Sequence, residues 1–188
     1  MTIQSFYDAI VQQRDPYEGT HGMDVARLAE KIAEMLGLPP EEITLLKVAA
    51  HLHDIGKIGL PENLLNKPGR FTRPEFVMVQ QHTNIGVELI RPFHLGPIIN
   101  DVILHHHERF DGDGYPHRLR GKSLSVHPDI VHIADIYDAL VNERPYRPIQ
   151  YAPAEAFHLI ISDRTAHNPQ VLEAFAEVIK SHQYGDSE

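Results

Sequence analysis

A chain of 188 residues with 42% hydrophobic and 23% charged residues can bury one substantial core and is ordinary for a globular protein. A formal net charge of -9 and zero cysteines argue against a DNA-binding surface, disulfides and thiolate metal ligands. No apolar run approaches the ~18 residues that span a bilayer, and the N-terminus lacks the basic start and apolar core of a signal peptide, so a cytoplasmic location without membrane contact is expected.

Residues 2–13, with Ile3, Phe6 and Ile10, predict a short amphipathic helix that Arg14-Asp15-Pro16-Tyr17 breaks. A longer helix is expected from about Glu18 to Leu36, with Thr20 as N-cap. Val25, Leu28, Ile32 and Leu36 share one face, and His21, four before Val25, joins it. The next helix, Glu41 to His53, puts Leu46, Ala49, Ala50 and His53 on one side, with Asp54 at or just past its last turn. Gly56 and Gly59 loosen the backbone around Lys57, residues 61–65 suit a helical turn, and Lys67-Pro68-Gly69-Arg70 reads as a turn. Thr72 and Pro74 mark a helix start and Arg91-Pro92 its end, with Met78, Val79, His82, Ile85, Gly86 and Leu89 on the inner face. From Pro97 to His107 a further helix lets His106 and His107 extend the stripe of Val102 and Ile103. Residues 108–127 form one long glycine-rich loop, and loops of that length are usually functional or disordered. Pro128 opens a helix with Val131, Ala134, Asp135, Asp138 and Ala139 along one side. Packing helices follow at about 152–161 and 169–182, before a frayed tail from Tyr184. No strand is indicated, and the expected fold class is all-α.

The chain carries 14 histidines, and their positions matter more than their number. A single inward histidine is more often a hydrogen-bonded core residue than a ligand. Here His21, His53, His82, His106 and His107 fall on the inner faces of separate helices, and Asp54 and Asp135 add carboxylates. Burying these groups without compensating charge is costly, and one or two cations remove the difficulty. Imidazole and carboxylate without sulfur suit iron, manganese or zinc. Asp54 has two oxygens to share between cations, and a metal pair roughly 3.5–4 Å apart is suited to phosphoryl displacement. Lys57, one short turn beyond, either offers its ammonium to a phosphate oxygen or is a solvated surface lysine.

Several separated stretches stand in one order: DPY followed by His21, HDIGKIGLPENLLNKPGRFT from His53, His82, HHERFDGDGYP from His106 to Pro116, IADIYDAL from Ile133, and RPYR from Arg144 to Arg147. From about Asp15 to Arg147 the chain resembles the HD-GYP domain, a branch of the HD phosphohydrolase superfamily. The resemblance implies an HD-domain-like helical bundle over residues 15–182 with a metal centre in its core, a helical extension over 1–14 and a frayed tail over 183–188. It implies a metal-dependent phosphodiesterase that opens cyclic di-GMP to pGpG and, in some members, continues to GMP. Carried over by position, the metal ligands would be His21, His53, Asp54, His82, His106, His107 and Asp135. Asp54 and Lys57 would serve catalysis, Lys57 at the scissile phosphate. Gly114-Tyr115-Pro116 would be the loop beside the substrate, and Arg144 and Arg147 would hold phosphates or loop structure. Asp111-Gly112 and Asp113-Gly114 are also ordinary turn formers, and Tyr115 could simply pack.

Two divalent metals, iron or manganese, are expected. Some members carry a glutamate one turn before the first histidine for a third metal, but Tyr17 stands there and Glu18 is its neighbour, so three is the less favoured count. Pro128-Asp129-Ile130 occupies the place of an arginine usual in the family. The remaining histidines, among them His51, His105, His117, His132 and His167, are expected outside the ligand set. The rival expectations are a cyclic di-GMP sensor or interaction module without turnover, and an HD phosphohydrolase for another cyclic dinucleotide or nucleotide. Too few residues precede His21 for a receiver, PAS or GAF domain, so control would come from a homodimer, a regulatory partner or a longer parent chain.

Overall fold

The computed structural model describes residues 16–142 and 150–185, with side chains over 21–142 and 150–181. These residues form α1 (Pro16–Met35), α2 (Pro40–Leu52), α3 (Glu62–Leu65), α4 (Arg73–Gln80), α5 (His82–Ile90), α6 (Pro97–His105), α7 (Val126–Val141), α8 (Pro153–Ser162) and α9 (Pro169–Gly185). Short 3-10 turns stand at Ile55–Gly59, Arg91–Phe93 and Gly121–Ser123, and no strand occurs among the described residues. No helix among them is long and apolar enough to cross a membrane.

The all-α expectation holds, and its cause is visible in the helix starts. Pro40, Pro97 and Pro153 each open a helix, where a fixed φ is helical already and the missing N–H has no intrahelical partner to lose. α1 packs on α2 and α7, α2 on α6, α5 on α6 and on the 3-10 turn after Asp54, and α9 against α1 and α7. Val25, Ile32, Leu46, Ala49, Val102, Ile103, Ile133 and Phe175 meet in one buried core. His53 and Asp54 follow α2 directly, so the packing of α2 against α1 and α6 sets where they stand.

Several boundaries differ from expectation. α1 begins at Pro16, which places Thr20 inside the helix instead of at its cap. α7 begins at Val126, which puts Pro128 in its first turn. The helix expected over 72–90 is two, divided at Gln81. Thr72 does start it, because Glu75 reaches back to accept the Thr72 backbone N–H at 2.7 Å. The expected inner face is wrong in part: Met78 is 50% and Leu89 41% exposed, and the inner face runs through Val79, His82, Thr83, Gly86 and Ile90. α4 packs chiefly on α3 and α5, so its apolar residues Phe76, Val77 and Met78 meet no core. α9 continues to Gly185, through the start of the expected tail. The helix expected over 2–13, the Glu18 side chain, Arg144, Arg147 and residues 186–188 lie outside the described residues.

The glycine-rich loop is ordered by its own bonds. Glu108 is buried and accepts the backbone N–H groups of His117 at 2.6 Å and Leu119 at 3.0 Å. Arg109 donates to Asp111 at 3.1 and 2.7 Å and to Asp163 at 3.0 and 3.3 Å, tying the loop to the segment after α8. The Phe110 N–H donates to the Ala166 carbonyl at 2.7 Å. Glu108→Gln removes the charge and leaves at least one of the two backbone donors without an acceptor. A loss of about 1.5–3 kcal/mol in unfolding free energy is expected, read from denaturant midpoints.

Candidate metal centre

The centre is built where helices end or begin. His53 is the C-cap of α2 and Asp54 the next residue, His82 is the first residue of α5, and His106 is the C-cap of α6 with His107 following. His21 projects from α1 and Asp135 from α7. Two groups of potential ligand atoms result, each within 4.8 Å of one another: His21, His53 and Asp54 in one, and Asp54, His82, His106 and His107 in the other. Asp54 belongs to both. Its Oδ1 lies 3.3 Å from His82 Nε2 and 3.8 Å from His106 Nε2, and its Oδ2 lies 3.3 Å from His53 Nε2. Asp135 Oδ1 stands 3.2 Å from His21 Nε2.

The outer nitrogens of these rings decide what the inner ones offer. His53 Nδ1 donates to the Ala50 carbonyl at 2.6 Å, His82 Nδ1 to Val79 at 2.7 Å, and His106 Nδ1 to Ile103 at 3.1 Å. A ring nitrogen bonded to a carbonyl carries the proton, so each Nε2 presents a lone pair inward. The Nε2 atoms of His82 and His106 thereby face each other at 3.3 Å as two acceptors. Among the described residues, His53 Nε2 and Asp54 Oδ1 are buried without a hydrogen-bond partner. Facing lone pairs and orphaned buried acceptors are costly in any site that holds no positive charge. The donor set of imidazole nitrogens and carboxylate oxygens therefore fits divalent metal ions.

The local field has the same sense. Burial opposes charge on His21, yet hydrogen bonds to Asp135 and Asp138 outweigh it and raise the group to about 10. Such a field also attracts a cation. Burial alone would raise Asp54, but the Lys57 ammonium beside it holds it well below the usual carboxylate range. His106 is pushed well below its ordinary value by burial and by His107, and His107 is lowered to about 3 by burial and by His82. Lys57 Nζ lies 2.6 Å from Asp54 Oδ2, so its charged end is engaged at the centre.

Beside His107 opens a cavity of about 530 Å³, lined by Phe76, Gln80, His107, Tyr115, Pro116 and Arg118 among others. The Tyr115 ring stacks on His107 with centroids 4.7 Å apart, and Phe76 meets Tyr115 edge-on at 6.0 Å. The Tyr115-Pro116 peptide bond is cis. Gly114 packs on the backbone from His107 to Arg109: an added Cβ would lie 2.4 Å from Arg109 N and 2.5 Å from His107 O.

All seven histidines and aspartates singled out from the sequence converge here, with Lys57 and the Gly114-Tyr115-Pro116 stretch at the edge. Three supporting residues were not singled out. Asp138 accepts His21 Nδ1–H at 2.5 Å and is itself held by Asn142 Nδ2 at 2.6 Å. It shares a helix face with Asp135, a signal that was available. Glu108 anchors the loop, as described above. His132 was expected to have no part in the centre; it lies outside both ligand groups but donates Nδ1–H to the His106 carbonyl at 2.9 Å. Asp138→Asn is expected to weaken metal affinity of the His21 group by about 10–100-fold while the chain stays folded, as read by metal titration beside a thermal melt.

Residues 6–171 match the HD domain family. A cyclic di-GMP phosphodiesterase of Thermotoga maritima is 39% identical over 176 residues, covering 90% of this chain and 46% of that protein. A 3'3'-cGAMP-specific phosphodiesterase of Vibrio cholerae is 36% identical over 139 residues, covering 73% of this chain and 27% of that protein. The chain thus spans less than half the length of either relative. The HD domain of the L. monocytogenes phosphodiesterase PgpH, solved with cyclic-di-AMP, superposes with a TM-score of 0.69 at 22% identity, covering 96% of this chain and 97% of that one. At that identity the superposition speaks for the fold alone.

Proposed function

The chain belongs to the HD domain family, and from that premise we propose that it is a metal-dependent phosphodiesterase that hydrolyses cyclic di-GMP to pGpG, with GMP as a further product. The observation that carries the proposal is Asp54: one buried carboxylate stands in both ligand groups and also holds Lys57. His21, His53, Asp54, His82, His106, His107 and Asp135 would hold two divalent ions, iron or manganese. Bound there, such ions supply Lewis acidity at a phosphoryl group and a nucleophile from water at neutral pH.

The chain's own groups do the rest. Lys57, partly exposed beside Asp54, offers its ammonium to a non-bridging phosphate oxygen as negative charge grows there. Tyr115 and Phe76 wall the cavity next to His107 and give a nucleobase an aromatic face. Gly114 keeps the loop backbone against His107, so Tyr115 holds its place over the reacting end. Arg144 and Arg147 would grip the flanking phosphates. Residues 15–182 are the catalytic unit of this scheme, acting in the cytoplasm under a homodimer or regulatory partner.

Support comes from the ligand geometry and from relatives named for this activity at 35–39% identity. The test is elemental analysis of anaerobically purified protein, then product analysis with cyclic di-GMP on the same sample. Two metals per chain and release of pGpG are expected. Tight binding of cyclic di-GMP without product, at full metal content, would replace the enzyme with a sensor. The Vibrio cholerae relatives named as specific for 3'3'-cGAMP favour one second substrate. A panel of the two dinucleotides decides, because a higher kcat/KM on 3'3'-cGAMP would reassign the substrate.

A further inference from the structure

A second pair of histidines lies outside the centre, where α6 meets the loop. His105, the last residue of α6, donates Nδ1–H to Asp101 Oδ1 one turn earlier at 2.6 Å. That bond keeps the proton on Nδ1 and leaves His105 Nε2 as a lone pair. His117, directly after Gly114-Tyr115-Pro116, brings its own Nδ1 to 3.0 Å from that Nε2. Asp101 is fixed in turn by the Ser125 hydroxyl at 2.5 Å, and the His117 backbone N–H by Glu108 at 2.6 Å. The His105 ring is thus fixed by the fold, His117 donates Nδ1–H to its free Nε2, and neither ring belongs to the ligand groups of the centre.

That hydrogen-bond distance is also one that two ligands of a single ion can keep. Two imidazole nitrogens bound to one ion at about 2.0–2.1 Å lie roughly 2.9 Å apart at a right angle and roughly 3.4 Å apart at the tetrahedral angle. The observed 3.0 Å falls between these limits. His117 is exposed, so its proton can pass through water to its outer nitrogen and free Nδ1 for a metal. A carboxylate behind the first ring is the usual companion of a ligating histidine.

We propose that His105 and His117 form a separate two-imidazole site for a divalent cation of the zinc or copper(II) class, with Asp101 holding His105 in its ligand form. Water completes the coordination, and hard cations such as magnesium, which prefer oxygen donors, are not taken. An ion here ties the residue after Pro116 to the end of α6, and so pins the loop that walls the cavity beside His107. The site stands apart from the proposed activity and survives its failure.

The full chain, freed of metal, is titrated with zinc beside His117→Gln and Asp101→Asn. The parent is expected to bind one zinc per chain more than His117→Gln. Asp101→Asn is expected to keep that zinc with about 10–100-fold weaker affinity. Zinc is also expected to slow trypsin cleavage at Arg118 and Arg120 in the parent and not in His117→Gln, which controls for any effect on the protease. Equal zinc counts in parent and His117→Gln overturn the proposal, as does an Asp101→Asn titration superimposable on the parent's.

Discussion

Replacing Asp54 with alanine is expected to strip metal from both halves of the centre and to lower the proposed turnover of cyclic di-GMP by at least about 10³-fold, the upper end of what losing one electrostatic stabiliser costs. The reason is the sharing of one side chain. Oδ1 faces His82 and His106, Oδ2 faces His53 and Lys57, and no other residue of the centre stands in both groups. His82→Ala removes one donor from one group and should leave the His21 and His53 half able to bind. Asp54→Asn keeps the shape but offers a neutral oxygen and two N–H donors to a site that needs charge, so it should fall close to alanine. Metal content and product formation are measured on the same preparation. An Asp54→Ala protein with the parent's metal content and turnover would refute the assignment.

The second large effect is expected at Gly56, which has no ligand role. A Cβ at this position would lie 1.8 Å from the His82 carbonyl oxygen and 2.6 Å from the Gly86 nitrogen. Both obstacles are backbone, so no rotamer change can clear them. The 3-10 turn after Asp54 has to lift away from α5, and His82 opens α5. The 3.3 Å approach of Asp54 to His82 is then lost together with the packing. Gly56→Ala is expected to cost about 3 kcal/mol or more, at or beyond the usual range for overpacking, with metal lost from the His82 half. Gly59→Ala is the control, since its nearest neighbours are Ile85 side-chain carbons, the closest at 2.7 Å, which can move. Denaturant midpoints compare the two, and a Gly56→Ala protein no less stable than Gly59→Ala would contradict this account.

How much was legible in the sequence depended on whether one helix held the information. His21 and His53 read correctly as inward because α1 and α2 are long and their apolar residues repeat at three and four. Asp135 likewise fell on the inner side of α7. The same periodicity failed over 72–90. Met78 sits four before His82 and shares its stripe, but α4 extends beyond the core that α5 covers, and spacing alone does not say where a neighbour ends. Asp138 was on the right side of its helix, yet its meaning lies in a bond to His21 in α1, a partner distant in the chain. Glu108 was harder still. A glutamate at the head of a glycine-rich loop reads as solvated, whereas here it is buried under two backbone N–H groups that the loop turns back to it. The inward faces offered these seven side chains as candidates, but their joining into one ligand set was carried by the family resemblance, since no local pattern says that five helices meet.

The two acceptor nitrogens that confront each other across the centre also bear on how long the molecule lasts. His82 and His106 approach to 3.3 Å only in the folded chain, and a denatured chain cannot gather donors from α1, α2, α5, α6 and α7 at one point. An ion held there binds the native state and not its competitor, and contributes RT ln(1 + [M]/Kd), about 4 kcal/mol when free metal is a thousandfold above Kd. The melting temperature then becomes a gauge of metal supply, rising with each decade of free ion and falling under chelators. Under scarcity the folded population shrinks and proteolysis takes more of it, so abundance of the protein, and not only its catalytic state, would follow the metal.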